Sequence, residues 1–96
     1  MEIKDLRVGM RRVNITATVE SLSEVREVQS RYTGNIHRVA TAVVADDSGK
    51  IDLVLWNEQI GQVSVGDKIK IENGYVSSFR GRKQLSIGRY GKLLKL

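Results

Sequence analysis

Cysteine and proline are both missing from this chain of 96 residues. Without thiols there is no disulfide framework and no thiolate zinc site. A single histidine, His37, leaves no His-based metal centre and no His-centred triad to assemble. Without proline, the turns must rest on the nine glycines. No apolar run approaches the roughly 20 residues that a membrane helix needs, and neither a membrane span nor a signal peptide is expected. A cytoplasmic protein with no membrane contact is expected. Catalytic constellations are missing too. Asp46 and Asp47 are adjacent carboxylates that a turn explains, and Asp52 and Glu72 stand alone. Gly81 and its neighbours form no Walker or dinucleotide loop. No enzyme, no metal and no cofactor is expected.

What the chain does have is an uneven charge. Its 16 Lys and Arg against 11 Asp and Glu make a net charge of +5. From Phe79 to Leu96 there are six basic residues (Arg80, Arg82, Lys83, Arg89, Lys92 and Lys95) and no acidic one. The first 78 residues therefore hold 10 basic and 11 acidic side chains, a net of −1. A positive excess concentrated at one end points to a polyanionic partner.

Apolar periodicity organises the rest. Val13, Ile15, Ala17 and Val19 alternate with polar residues over Arg12–Glu20, the pattern of a half-buried strand. Ile3–Gly9 is compatible with one helical turn. Leu22, Val25 and Val28 are spaced by three, which fits either a short helix or a long strand bent by a bulge. Ser30–Asn35 reads as a loop. Arg38–Ala45, nearly all small and β-branched, predicts a strand buried on both faces. Asp46-Asp47-Ser48-Gly49 is a turn into Ile51, Leu53 and Leu55, which alternate inward. Asn57–Val63 allows a helical turn or two, with Asn57 as a cap. Lys68–Phe79 is a long strand broken at Asn73-Gly74, and Lys83–Arg89 is the last. Five strands with a short helix between the third and fourth predict an all-β, five-stranded OB-fold barrel over residues 1–96. An SH3-like barrel is the other candidate, but the long first strand and the placed helix argue against it.

Of the five aromatic residues, three bear on function. Trp56 falls on the outer parity of its strand, opposite Leu53 and Leu55. Strict alternation from Ile69 and Ile71 sends Tyr75 inward; a bulge at Asn73-Gly74 turns Tyr75, Ser77 and Phe79 outward and Val76 into the core. Exposed aromatics among arginines suit unpaired bases, which stack on flat rings while cations hold the phosphates. Reading a duplex would need a helix or ribbon for the major groove, and no long basic helix is available.

Several runs resemble one family. Lys4–Met10, Asp46–Lys50, Val54-Leu55-Trp56, Gly66–Tyr75, Phe79-Arg80-Gly81 and Gln84-Leu85-Ser86, in that order, look like the archaeal single-stranded DNA-binding proteins and the OB domains of replication protein A. The resemblance spans nearly the whole chain and favours the bulge. It implies that Trp56, Tyr75 and Phe79 stack DNA bases, with Tyr75 standing where some relatives have tryptophan. It also implies that Arg31, Arg38, Lys50, Arg80, Arg82 and Lys83 hold phosphates. The expected function is sequence-independent binding of single-stranded DNA in replication, recombination or repair. Other replication or repair proteins are candidate partners, as some members carry a recruiting tail. A protein-interaction OB domain and an RNA-binding OB domain are the competing readings.

Overall fold

A computed structural model describes the backbone of all 96 residues and every side chain except that of Arg89. Six strands form: β1 (Val13–Leu22), β2 (Arg26–Gln29), β3 (Ile36–Asp46), β4 (Gly49–Trp56), β5 (Lys68–Phe79) and β6 (Arg82–Lys95). Two short 3₁₀ turns, Ile3–Asp5 and Asn57–Gln62, accompany them. The sheet runs β1-β5-β6-β4-β3-β2, and an added β1–β3 pairing closes five of the strands into a barrel. β1 makes this closure by serving two neighbours. Val13–Thr18 pair with β5, and Thr18–Leu22 pair with β3. A short parallel contact between β4 and β6 completes the ring. Among the described residues, no helix is long and apolar enough to cross a membrane.

The alternating residues fill the barrel as their parity requires. Ile15, Val19, Ala42, Val44, Leu53, Leu55, Ile69, Ile71 and Leu85 are all buried. Ile3 and Leu6, from the first 3₁₀ turn and the residue after it, join this core, as does Val63. The barrel and the insertion before β5 agree with the OB-fold expectation.

Three local readings change. Val25 and Val28 are both exposed, and the segment after a break at Ser23 is the short strand β2, which continues β1's pairing along β3, so of the two readings the bent strand holds and the helix does not. Their spacing of three is an accident of that break. β3 buries its inner face fully, but Thr41, Val43 and Ala45 on its outer face are only partly covered. The last strand continues past Arg89 to Lys95, because pairing with β5 resumes at Lys92 after an interruption. Glycines and polar residues at 88–91 hide that continuation from any period-two pattern.

Candidate nucleic-acid interface

The outer face of the sheet is a grid whose rows follow the strand register. One row joins Arg26, Val39 and Trp56 across β2, β3 and β4. The next joins Thr41, Val54, Ser86 and Tyr75 across β3, β4, β6 and β5. Then come Val43, Asp52, Gln84 and Ser77. Phe79 pairs with Arg82 at the end of the β5–β6 hairpin. Residues in register on neighbouring strands share a face, so Trp56, Tyr75 and Phe79 all open to the same side.

The bulge that turns Tyr75 outward is present. Pairing slips between Glu72 and Gly74 on the β6 side, and Asn73 takes a positive φ of 58°. Its N–H donates to the Asn14 side-chain oxygen at 3.0 Å. Ile69 and Ile71 face the core before this extra residue, Gly74 and Val76 after it. Tyr75 is left 42% exposed, as Trp56 is at 41% and Phe79 at 53%.

Asn57 shapes the edge next to Trp56. It does not cap the turn that it opens. Its backbone takes a φ of 50°, and its side-chain oxygen accepts the Arg38 N–H at 2.9 Å. Its amide also meets His37 Nδ1 at 3.3 Å. The Trp56 N–H is satisfied by Gln59 at 3.0 Å. The chain therefore leaves the sheet immediately after the indole, which keeps the ring on the rim of the face.

Trp56 and Phe79 line one cleft of about 440 Å³, with Val54 and Val39 as its floor and Arg26 and Gln84 on its walls. Tyr75 lines a separate cleft on the far side of β6. The three aromatics thus occupy two depressions, which share no lining residue, on the outer face of the sheet.

The six cations named from the sequence are not equivalent. Arg31 lies in the β2–β3 loop, and Arg80 lies in the β5–β6 turn, where its guanidinium sits 5.2 Å from the Phe79 ring centre. That turn has positive φ at both Arg80 (53°) and Gly81 (79°), the geometry of a tight two-residue hairpin. Arg82 reaches Asp52 at 3.0 Å, and Lys50 reaches Glu20 at 2.8 Å. Both pairs are on the outer side but are already partnered. Lys83 donates to the Leu6 carbonyl oxygen at 3.0 Å and so clamps the N-terminal segment. Arg38 is in register with Glu27, on the reverse side of the β2–β3 extension from Val39 and Trp56. The geometry therefore groups Arg80, Arg82 and Lys50 with the aromatics, and leaves Arg38 and Lys83 off their face.

Sequence reasoning missed Arg26, which shares the row of Trp56. No periodic signal marked it, because all four residues of β2 are exposed and the three-residue spacing of Leu22, Val25 and Val28 obscured the strand. No group of three or more potential metal-ligating side chains occurs among the described residues. The carboxyl of Asp46 has a lowered affinity for protons. Burial opposes its ionisation, but hydrogen bonds from the Ser48 hydroxyl and the N–H groups of Ile3, Ser48 and Gly49 outweigh that and hold it below the ordinary value. This carboxylate pins the N-terminal turn to the β3–β4 hairpin, away from the aromatics.

Comparison with known proteins follows the same lines. The family model described as single-stranded DNA binding protein Ssb-like, OB fold, matches residues 6–95. The single-stranded DNA binding protein Ssb of Saccharolobus solfataricus is 32% identical over 92 residues, which is 96% of this chain and 61% of that protein. Replication factor A of Methanothermobacter thermautotrophicus is 41% identical, over 96% of this chain and only 12% of its own length. The chain therefore spans less than two thirds of both relatives. An OB domain from Thermoplasma acidophilum superposes with a TM-score of 0.85 at 21% identity, covering all of this chain and 85% of that one, a likeness of fold.

Proposed function

The chain belongs to the Ssb-like OB-fold family of single-stranded DNA-binding proteins, and on that premise we propose that it binds single-stranded DNA by base stacking and phosphate contacts, largely without sequence preference. The observation that carries this is the shared orientation of Trp56, Tyr75 and Phe79 on the sheet's outer face, with Arg80 at its edge. Large apolar rings left in water are costly to maintain without a partner, and unpaired bases supply one. Arg26, Arg31, Lys50, Arg80 and Arg82 act on phosphates; Lys50 and Arg82 exchange their present carboxylate partners to do so. Arg38 and Lys83 contribute through the general field rather than by contact. The role is binding, not catalysis, and the 96 residues act as one binding domain. Single-strand binding of this kind serves replication, where the name of the Methanothermobacter relative points, and by extension recombination and repair. Proteins of those processes are the partners of choice.

Trp56 is the only tryptophan, so intrinsic fluorescence reports on one position of the face. Adding oligo(dT) at low salt should quench it. Replacing Trp56 by Ala should weaken binding by about 1–3 kcal/mol, read by the anisotropy of a labelled oligonucleotide, with the circular dichroism spectrum unchanged. An unquenched indole at low salt would overturn the reading. Competition with matched RNA and duplex separates this function from an RNA-binding one.

A further inference from the structure

The second cleft, of about 450 Å³, lies beyond Tyr75 and is lined by Tyr75, Tyr90, Gly88, Asn73, Arg11 and Arg12. Two irregularities build it. Between Gly74↔Ile87 and Glu72↔Lys92, the single residue Asn73 of β5 faces the four residues 88–91 of β6. Those four form a bulge within β6 where the register with β5 shifts, and Tyr90 within them is 78% exposed. On the other flank, the Met10 carbonyl accepts the Val76 N–H and Val13 pairs with Gly74. Arg11 and Arg12 together therefore face Tyr75 alone, with Arg12 held at a φ of 54°. Tyr75 thus shares one cleft with two arginines and a second tyrosine. Gly88 leaves the floor bare, and a Cβ there would sit 3.5 Å from the Tyr75 ring.

We propose that this cleft is an additional nucleotide subsite, in which Tyr75 and Tyr90 contact one further base of the same strand and Arg11 and Arg12 hold its phosphate. The proposal rests on the single-strand reading above. It extends the strand's path from the Trp56–Phe79 cleft across Gly88 to the N-terminal side of the barrel. Charge supports this occupant: two arginines beside two rings are the chemistry of a stacked base with its backbone. Continuity supports it as well, because Tyr75 belongs to both the stacking face and the cleft.

The test uses the 96-residue chain and oligo(dT) of graded length, from about four to about 16 nucleotides, the range covered by OB folds. Tyr90→Ala should leave affinity for the shortest bound oligomers unchanged. For longer ones it should lower affinity about five-fold or more, and the plateau of affinity with length should come earlier. Tyr90→Phe should behave as the parent chain, since the ring carries the contact. Arg11→Gln with Arg12→Gln should lower the salt slope by about 0.7 for each phosphate released. A parent chain that binds no oligomer overturns the single-strand reading and the subsite together. A parent chain that binds normally, with both sets of variants indistinguishable from it at every length, overturns the subsite alone.

Discussion

Gly74 is the residue on which the orientation of Tyr75 turns, and replacing it by alanine tests that directly. Its φ lies outside the left-handed region, so alanine meets no backbone strain there. The obstacle is space. A Cβ at this position would sit 3.0 Å from the Ser86 carbonyl oxygen, 3.1 Å from Ile71 Cγ2 and 3.4 Å from Leu85 Cδ1. The first neighbour is backbone held in the β5–β6 ladder, and Ile71 and Leu85 are fully buried. None is the loose end of a flexible side chain. Overpacking of this kind costs about 1–3 kcal/mol. Alanine recovers about 0.4–1 kcal/mol by restricting the unfolded chain. The net is a destabilisation of roughly 1–2 kcal/mol, or a fall of about 4–15 °C in Tm for a domain of this size. Thermal melts followed by circular dichroism read it. Gly61→Ala is the control: it has open space and no positive φ, so its Tm should stay level or rise slightly. Because the strain falls on the bulge itself, oligo(dT) affinity at 25 °C should drop for Gly74→Ala and not for Gly61→Ala. A Gly74→Ala chain as stable as the parent and equally tight on oligo(dT) would refute the role assigned to the bulge.

Other outcomes follow from the separation of the cations. Lys83→Ala removes the clamp on the Leu6 carbonyl and should lower Tm by about 4–8 °C, the effect of about 1 kcal/mol, while changing oligo(dT) affinity little. Arg80→Ala should do the reverse: Tm is kept, affinity falls, and the salt slope drops by about 0.7. Equal effects of the two substitutions on binding would contradict the division of the basic segment drawn here. Asp46 sets an acid limit. Its folded pKa is depressed, so the unfolded chain takes up the proton more readily as pH falls. The stability it contributes is complete above the ordinary carboxylate value and is lost as pH drops through the lower folded value. Acid melts of Asp46→Ala should therefore show lower stability near neutrality and a shallower decline below about pH 4 than the parent chain.

The barrel was legible because period two is a local property. Val13, Ile15, Ala17 and Val19 on β1, or Ile51, Leu53 and Leu55 on β4, declare an inner face whatever they pack against. The same alternation placed Trp56 outside. Tyr75 was harder, since a single extra residue reverses every side chain after it. Asn73-Gly74 marked where such a residue could sit, and only the β5–β6 register showed that it does. The β2 segment stayed open between a short helix and a bent strand because its apolar residues are exposed and carry no burial pattern.

By itself, then, the sequence determined the β class, the inner faces, the turn sites and the placement of positive charge in the last 18 residues, all of which depend on neighbours along the chain. Tertiary structure decided which cations share a face with the aromatics. Lys83 and Arg82 are adjacent in sequence, yet one clamps Leu6 and the other meets Asp52 on the outer face. It also decided that Arg11, Arg12 and Tyr90 line one cleft with Tyr75. Those neighbours are distant in sequence and are brought together by strand pairing and by bulges, whose register depends on how the whole barrel closes.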